Sequence, residues 1–173
     1  IGSNGSSSYI LTNYHVIDGV SDIKVFFSDG KSYDATLVGG EKENDIAVLK
    51  IDVGNLQTVT LGDSDQLNVG EDVYAIGNPL GVELRGTLTN GIVSAINRDV
   101  NVDGYTMVLL QTTAALNSGN SGGALINDRG QVVGITNLKM RAYDNTVEGL
   151  GFALPISSVS FVVNDLIAHG EFL

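Results

Sequence analysis

Short runs rich in β-branched and aromatic residues, each followed by turn residues, succeed one another along nearly the whole sequence. They cover residues 9–12, 23–27, 32–37, 46–51, 72–76, 87–96, 106–111, 123–126, 131–137 and 149–154. Runs of this length with glycine, asparagine or aspartate between them predict antiparallel strands, and this many of them predict barrels or a sandwich. Glycine, at 22 of 173 residues, supplies the tight turns that such a fold needs. We therefore predict an all-β fold.

Only the C-terminal segment has the residue spacing of a helix. After Pro155, apolar residues recur every three or four positions, and Ser157 or Ser158 can cap the first turn. We predict a helix over residues 157–169 that packs one face against a barrel. The strand runs divide near residues 78–85, which predicts a first barrel over residues 1–80 and a second barrel over residues 84–156.

Charge and composition argue against several classes of function. The chain has 9 basic and 20 acidic residues, a net charge of −11, and no basic patch that would attract a nucleic acid. It has no cysteine, hence neither disulfides nor thiolate metal sites, and we predict no metal and no cofactor. No apolar run is long enough to cross a bilayer, so we expect any signal or anchor to lie upstream of Ile1.

A serine between glycines is the strongest sign of chemistry in the sequence. In Gly119-Asn120-Ser121-Gly122-Gly123, the glycines let the backbone turn sharply and leave the amides of Gly119 and Ser121 free to point at one oxygen. Such a pair of amides is how an oxyanion hole is built. A flexible turn without function is the alternative, but apolar residues on both sides of this turn argue against it. Ser121 is therefore the candidate nucleophile.

Acyl transfer by a serine also needs a general base and a carboxylate that orients it. The sequence has two histidines. His15 follows the first apolar run, where a turn can hold it at a barrel edge, whereas His169 ends the predicted helix and is interpreted as a helix-end residue. Asp45 directly precedes the apolar run 46–51, at the mouth of a buried strand. Taken singly, His15 and Asp45 are equally compatible with a packed histidine and an ordinary loop acid.

Five segments of the sequence carry a family resemblance when they are taken together: Thr12-Asn13-Tyr14-His15-Val16, Asn44-Asp45-Ile46-Ala47-Val48-Leu49-Lys50, Ala75-Ile76-Gly77-Asn78-Pro79, Gly91-Ile92-Val93-Ser94 and Gly119-Asn120-Ser121-Gly122-Gly123-Ala124-Leu125. They resemble the protease domain of the bacterial HtrA (Deg) family of trypsin-like serine proteases. The resemblance covers nearly the whole chain. It implies a single protease domain over residues 1–173 with two packed antiparallel β-barrels of the trypsin or chymotrypsin type and a C-terminal helix. The first barrel would supply His15 and Asp45, and the second Ser121.

The resemblance also implies a role for each residue. Ser121 would attack the peptide carbonyl, and His15 would take its proton and return it to the leaving amine. Asp45 would fix the tautomer of the imidazole, and the amides of Gly119 and Ser121 would hold the oxyanion. These roles make the chain a serine endopeptidase that needs no cofactor.

Substrate preference can be inferred from the position six residues before the nucleophile. Trypsin-like enzymes that cut after Lys or Arg carry an aspartate there, whereas this chain has Ala115. With Leu116 and Leu138 as further lining, the pocket is expected to take a small or medium aliphatic P1 side chain. The resemblance further implies unfolded or misfolded polypeptides as substrates, protein quality control in the bacterial envelope or extracellular space, a homotrimer, and a PDZ domain outside this chain.

Two other functions stay open at this point. The serine pentapeptide also satisfies the G-x-S-x-G pattern of α/β-hydrolases, which would make the chain an esterase with His169 as base, but a strand follows Ser121 where that fold has a helix. The barrels could also serve as a resting, chaperone-like module that binds proteins. Thr113 and Ser118 replace residues that are frequent in the family, which leaves open whether the oxyanion hole is in an active arrangement.

Overall fold

A computed structural model describes residues 1–79, 81–102, 104–138 and 149–172 of the chain. The strands are β1 (Gly2–Ser3), β2 (Ser8–Thr12), β3 (Ile23–Phe26), β4 (Ser32–Glu41), β5 (Ile46–Ile51), β6 (Asp72–Gly77), β7 (Thr87–Val102), β8 (Tyr105–Thr112), β9 (Ala124–Asn127), β10 (Val132–Asn137) and β11 (Gly151–Pro155). The helices are α1 (Tyr14–Ile17) and α2 (Ile156–His169), with 3₁₀ turns at Ser64–Gln66 and Val82–Leu84. Two antiparallel sheets and a C-terminal helix confirm the predicted all-β class.

The first compact unit comprises Ile1–Thr60 and Ser160–Leu173. Its five-stranded sheet has the order β1-β2-β5-β4-β3, so β5 lies in the middle. All residues of β5 except Lys50 are buried, because neighbours on both sides and both faces cover the central strand. Ile17, Ala47 and Leu49 form the core of this unit, and partly buried apolar side chains from β2, α1, β3 and β4 pack around them.

The end of α2 lies against β4 within this unit. A Cβ atom on Gly39 would stand 2.5 Å from the carbonyl oxygen of Gly170 and 3.1 Å from Leu166 Cδ2, so only glycine permits this approach. Gly170 itself has φ 80° and its N–H donates to Leu166 O at 2.9 Å, which is the left-handed cap that commonly ends a helix. The helix therefore ends at His169.

The second compact unit comprises Leu61–Val159, and its sheet is a closed barrel in the order β10-β11-β8-β7-β6-β9. Strand residues alternate between the two faces of a sheet, so one face of each strand fills the interior. The core residues are Leu67, Val73, Ala75, Val93, Leu110, Ala114, Leu116, Leu125, Val133 and Ala153. Closure of the barrel leaves β6 and β9 without a free edge.

The boundary between the two sheets differs from the predicted one at residues 80–84. The sequence predicts β6 within the first barrel, but β6 pairs with β7 and β9 of the second sheet, and the second unit begins at Leu61. The alternation of apolar residues in β6 identifies a strand and its buried face, but it does not identify the strand's partners.

Candidate active site

His15 and Asp45 form a close pair in the first unit. His15 Nδ1 lies 2.7 Å from Asp45 Oδ2, and the backbone N–H of His15 donates to Asp45 Oδ1 at 2.8 Å. Each carboxylate oxygen thus accepts one hydrogen bond from the same residue. A carboxylate oxygen is an acceptor, so Nδ1 is the donor of this bond, and in a neutral imidazole Nε2 then has the lone pair. The Asp45 side chain is 2% exposed and that of His15 is 27% exposed, which leaves the imidazole accessible.

The loop between β4 and β5 holds Asp45 in an unusual backbone conformation. Its φ is 55°, in the left-handed region that aspartate, asparagine and glycine adopt more readily than other residues. Its carbonyl accepts hydrogen bonds from the Asn13 side chain at 3.0 Å and from Tyr14 N–H at 3.1 Å. The start of α1 is therefore connected to the segment before β5 by one backbone bond and one side-chain bond, both to Asp45.

The role of Asn13 was not predicted from the sequence. Asparagine is a common N-cap residue, and Asn13 occupies the N-cap position of α1, but its side chain makes no cap bond. The amide instead donates across to Asp45 O, and Asn13 is 0% exposed. The sequence signal that could have indicated this role is the position of Asn13 two residues before His15, in the segment Thr12-Asn13-Tyr14-His15-Val16.

Ser121 lies in a turn of the second unit whose glycines are required by close backbone contacts. A Cβ atom on Gly119 would stand 2.1 Å from Asn78 O, and one on Gly123 would stand 2.2 Å from Ile76 O. Gly119 also has φ 99°, which disfavours any other residue. The turn is thus packed against the end of β6, and the glycines have a structural reason beyond flexibility.

Hydrogen bonds fix most backbone groups of this turn but leave two N–H groups free. Asn78 N–H donates to Gly119 O at 3.2 Å, Asn120 N–H to Asn117 O at 2.9 Å and Gly123 N–H to Asn120 O at 2.9 Å. The N–H groups of Gly119 and Ser121 donate to no acceptor among the described residues. They are the two amides that the sequence predicts as oxyanion donors, and they stay available for an external oxygen.

The hydroxyl of Ser121 has one partner of its own. Leu138 N–H donates to Ser121 Oγ at 3.1 Å. A serine hydroxyl can accept such a bond and still donate its proton elsewhere, so this contact positions Oγ without consuming its proton. It places the predicted pocket residue Leu138 beside the candidate nucleophile.

The other predicted pocket residues differ in burial. Leu116 is 4% exposed and belongs to the core of the barrel, against which Leu138 also packs. Ala115 is exposed, and its carbonyl accepts from Thr89 Oγ1 at 2.8 Å. Leu116 thus contributes to the core whether or not it also contacts a substrate.

The structure brings His15 and Asp45 together, while Ser121, Gly119 and the predicted pocket residues belong to the second unit. His169 is the exposed last residue of α2. Among the described residues no group of three or more His, Cys, Asp or Glu could hold a metal ion. Within the same residues no helix has the length and apolarity to span a membrane.

Comparison with known proteins finds relatives of one kind. The profile of the trypsin-like peptidase domain matches residues 1–135. The serine protease Do-like HtrB of Bacillus subtilis (strain 168) is 45% identical over 173 residues, which is 97% of this chain and 37% of the relative. The periplasmic serine endoprotease DegP of Salmonella typhimurium (strain LT2) is 44% identical over 170 residues, covering 97% and 35%.

A solved structure agrees with these relatives. The HtrA-type protease AlgW with a tripeptide superposes with a TM-score of 0.85 at 40% identity, over 98% of this chain and 55% of that one. The present chain therefore spans well under two thirds of the relatives that it matches.

Proposed function

The chain belongs to the trypsin-like peptidase domain family as a relative of the HtrA and DegP serine proteases, and we propose that it is a serine endopeptidase with Ser121, His15 and Asp45 as its triad. The observation that carries the proposal is the 2.7 Å contact between His15 Nδ1 and Asp45 Oδ2. It orients the imidazole so that Nε2 is the free acceptor, which is the form that a general base requires.

In the proposed reaction, Ser121 Oγ forms a bond to the carbonyl carbon of the scissile peptide while its proton passes to His15 Nε2. The carbonyl oxygen becomes an oxyanion that the N–H groups of Gly119 and Ser121 hold. The C–N bond then breaks, and His15 gives its proton to the leaving amine. Water repeats the sequence on the acyl-enzyme, and Asp45 stays ionised throughout.

The substrate class is part of the proposal. Relatives are named endoproteases, and one solved structure holds a peptide, which supports polypeptides as substrates. That these polypeptides are unfolded or damaged is proposed from the family resemblance of the sequence. Ala115 provides no carboxylate for a basic side chain, and Leu116 and Leu138 are apolar, which supports small or medium aliphatic residues at P1. Burying an unpaired ammonium in such a pocket is costly.

A panel of peptide substrates that differ only at P1 tests this preference. We expect kcat/KM to be about 10²-fold higher or more for valine or alanine than for lysine, because lysine would lose its hydration without a partner. Equal rates for lysine and valine would contradict the assignment of Ala115, Leu116 and Leu138 to the pocket without affecting the triad.

Location and assembly are proposed from the relatives. The DegP proteins of Salmonella typhimurium and Escherichia coli are named periplasmic, which supports a place in the envelope or outside the cell. A homotrimer and a PDZ domain outside these residues are proposed from the family resemblance of the sequence motifs. Cell fractionation tests the location, and light scattering of the full-length protein tests the trimer.

Labelling with a fluorophosphonate, together with cleavage of casein, tests the triad. Ser121→Ala is expected to lose labelling and about 10⁶-fold in kcat, whereas Ser6→Ala, which changes an exposed serine of the first unit, should keep both. Loss of activity in His169→Ala with retention in His15→Ala would favour the esterase. A wild-type protein that binds casein without labelling or cleavage would favour the chaperone-like module.

A further inference from the structure

Thr136 of β10 contacts the turn of residues 119–123, here called the nucleophile turn, with each of its polar groups. Its carbonyl accepts from Gly122 N–H at 2.9 Å, and its own N–H donates to Gly123 O at 2.9 Å. Its hydroxyl is hydrogen-bonded to Asn120 O and lies 3.2 Å from Gly123 O. Thr136 is 0% exposed, so the hydroxyl must use its single proton inside the protein. Asn120 O is the nearer acceptor and receives that proton.

The carbonyl of Asn120 and the N–H of Ser121 belong to the same peptide group. This group is planar and trans, so its oxygen and its hydrogen point in opposite directions. A bond that fixes the direction of Asn120 O therefore also fixes the direction of Ser121 N–H. Gly123 N–H donates to the same oxygen at 2.9 Å, and the Thr136 hydroxyl is its second donor.

The peptide group before Asn120 is fixed separately. Gly119 O accepts from Asn78 N–H and Asn120 N–H donates to Asn117 O, which are backbone bonds that no side-chain substitution removes. The Oδ1 of the Asn120 side chain is buried without a partner among the described residues, so it contributes no bond to this turn. The hydroxyl of Thr136 is thus a side-chain restraint on the Ser121 peptide group that a substitution can remove.

We propose that Thr136 is a positioning residue, whose hydroxyl keeps the Ser121 N–H aimed at the oxyanion. The proposal rests on the proposed function, because this N–H has a catalytic use only if Ser121 is the nucleophile. Thr136 touches no reacting atom and acts through the Asn120–Ser121 peptide group. Its effect belongs to the transition state, in which the oxyanion carries its charge.

Thr136→Val removes the hydroxyl and keeps the shape of the side chain. Asn120 O retains its bond from Gly123 N–H, so the turn persists but its peptide plane is less restrained. We expect kcat to fall about tenfold, less than the roughly 10² to 10³ for loss of a whole oxyanion donor, with KM unchanged. The rate constant for fluorophosphonate labelling should fall by a similar factor. Thr136→Ser restores the hydroxyl and should restore most of kcat.

Ser64→Ala is the matched control for loss of a buried hydroxyl. Ser64 is 2% exposed, lies in a 3₁₀ turn of the same unit, and its hydroxyl accepts from Ser157 N–H at 3.1 Å. We expect a lower thermal midpoint and an unchanged kcat per folded molecule. The comparison separates a general loss of stability from a loss of positioning.

Three outcomes would overturn the assignment while the proposed function stands: wild-type kcat in Thr136→Val, a rise in KM at constant kcat, or no recovery in Thr136→Ser. A fall in kcat that is matched by Ser64→Ala would also overturn it. Absence of labelling in the wild-type protein would instead overturn the proposed function, and the assignment with it.

Discussion

Replacing Asp45 by asparagine is expected to remove most of the activity and to leave the fold intact. In the native pair, Asp45 Oδ1 accepts from His15 N–H at 2.8 Å and Oδ2 contacts Nδ1 at 2.7 Å. An asparagine side chain has one oxygen and one NH₂ group, so it can accept only one of these two bonds. If its oxygen stays with the backbone N–H, its NH₂ faces Nδ1. The imidazole then places its proton on Nε2.

The magnitude follows from that tautomer. With a proton on Nε2, His15 cannot accept the proton of Ser121, and kcat is expected to fall about 10⁴-fold. This corresponds to about 5 kcal/mol of transition-state stabilisation at about 1.4 kcal/mol per tenfold change in rate. KM should change little, because Asp45 lies behind the imidazole and is 2% exposed on its side chain.

The same substitution should have a smaller effect on stability. The charge-assisted bond that is lost stabilises the fold by about 1.5–3 kcal/mol, and asparagine tolerates the left-handed backbone of residue 45 at φ 55°. Asp45→Ala loses both side-chain bonds and adds roughly 1–2 kcal/mol of backbone strain. Asp45→Ala is therefore expected to unfold at lower denaturant concentration than Asp45→Asn.

Steady-state kinetics on a peptide substrate and guanidinium unfolding measure both effects. Asp34→Asn, at an exposed ion pair with Lys24, is the control and should keep kcat. A kcat for Asp45→Asn within tenfold of the wild-type value would refute the orienting role of the carboxylate. Equal unfolding midpoints for the asparagine and alanine variants would refute the backbone argument.

Two further predictions concern the stability of the barrel. Gly91→Ala places a Cβ atom 2.2 Å from Ala114 N, a backbone atom that cannot move away as a flexible side chain could. The substitution should lower the free energy of unfolding by about 1–3 kcal/mol or more. Gly5→Ala meets nothing within 4 Å and should stay within about 0.5 kcal/mol; equal urea midpoints for the pair would contradict the steric argument. Leu110→Ala, at a 1% exposed site, should cost about 2–5 kcal/mol. Phe161→Ala, at a 75% exposed site, should lower the free energy of unfolding by about 0.5 kcal/mol or less. A larger fall in the thermal midpoint for Phe161→Ala than for Leu110→Ala would refute this reasoning.

Strands were predictable from the sequence where the apolar alternation is regular, and less so where local rules conflict with distant contacts. The run at residues 32–37 extends in the structure to Glu41. Gly39 and Gly40 belong to the strand and not to a turn, and they are glycines because Gly170 and the Tyr14 ring approach them closely. These contacts come from parts of the chain that are remote in sequence, so the glycines look like turn residues in isolation.

β7 shows the same limit for a different reason. The run at residues 87–96 continues to Val102 through Asn97, which has φ 53°, and through register shifts between Val93 and Arg98. A bulge lets a polar, apparently broken segment stay in the sheet. The alternation of apolar and polar residues along one strand is interrupted at such a bulge, although the pairing of β7 with β8 continues beyond it.

The sequence predicts those parts of the candidate site that depend on residue type and motif order, but not those that depend on distant contacts. His15 and Asp45 were singled out by the order of the motifs, and the structure places His15 Nδ1 2.7 Å from Asp45 Oδ2, while their catalytic roles stay predictions. The bonds from Asn13 to Asp45 and from Thr136 to Asn120 depend on which segments the fold brings side by side. No local property of an asparagine or a threonine indicates such a distant partner.

The burial of β10 has a consequence for how the proposed activity would be lost. All six residues of Val132–Asn137 are buried, and the strand is paired on both sides. Amide hydrogens in such a strand exchange with solvent mainly when the whole barrel opens, not when its periphery frays. Because Gly122 and Gly123 of the turn that holds Ser121 are hydrogen-bonded to Thr136, the proposed reactivity of Ser121 would depend on a strand that is expected to exchange slowly. Inactivation at the serine should therefore coincide with global opening of the second unit.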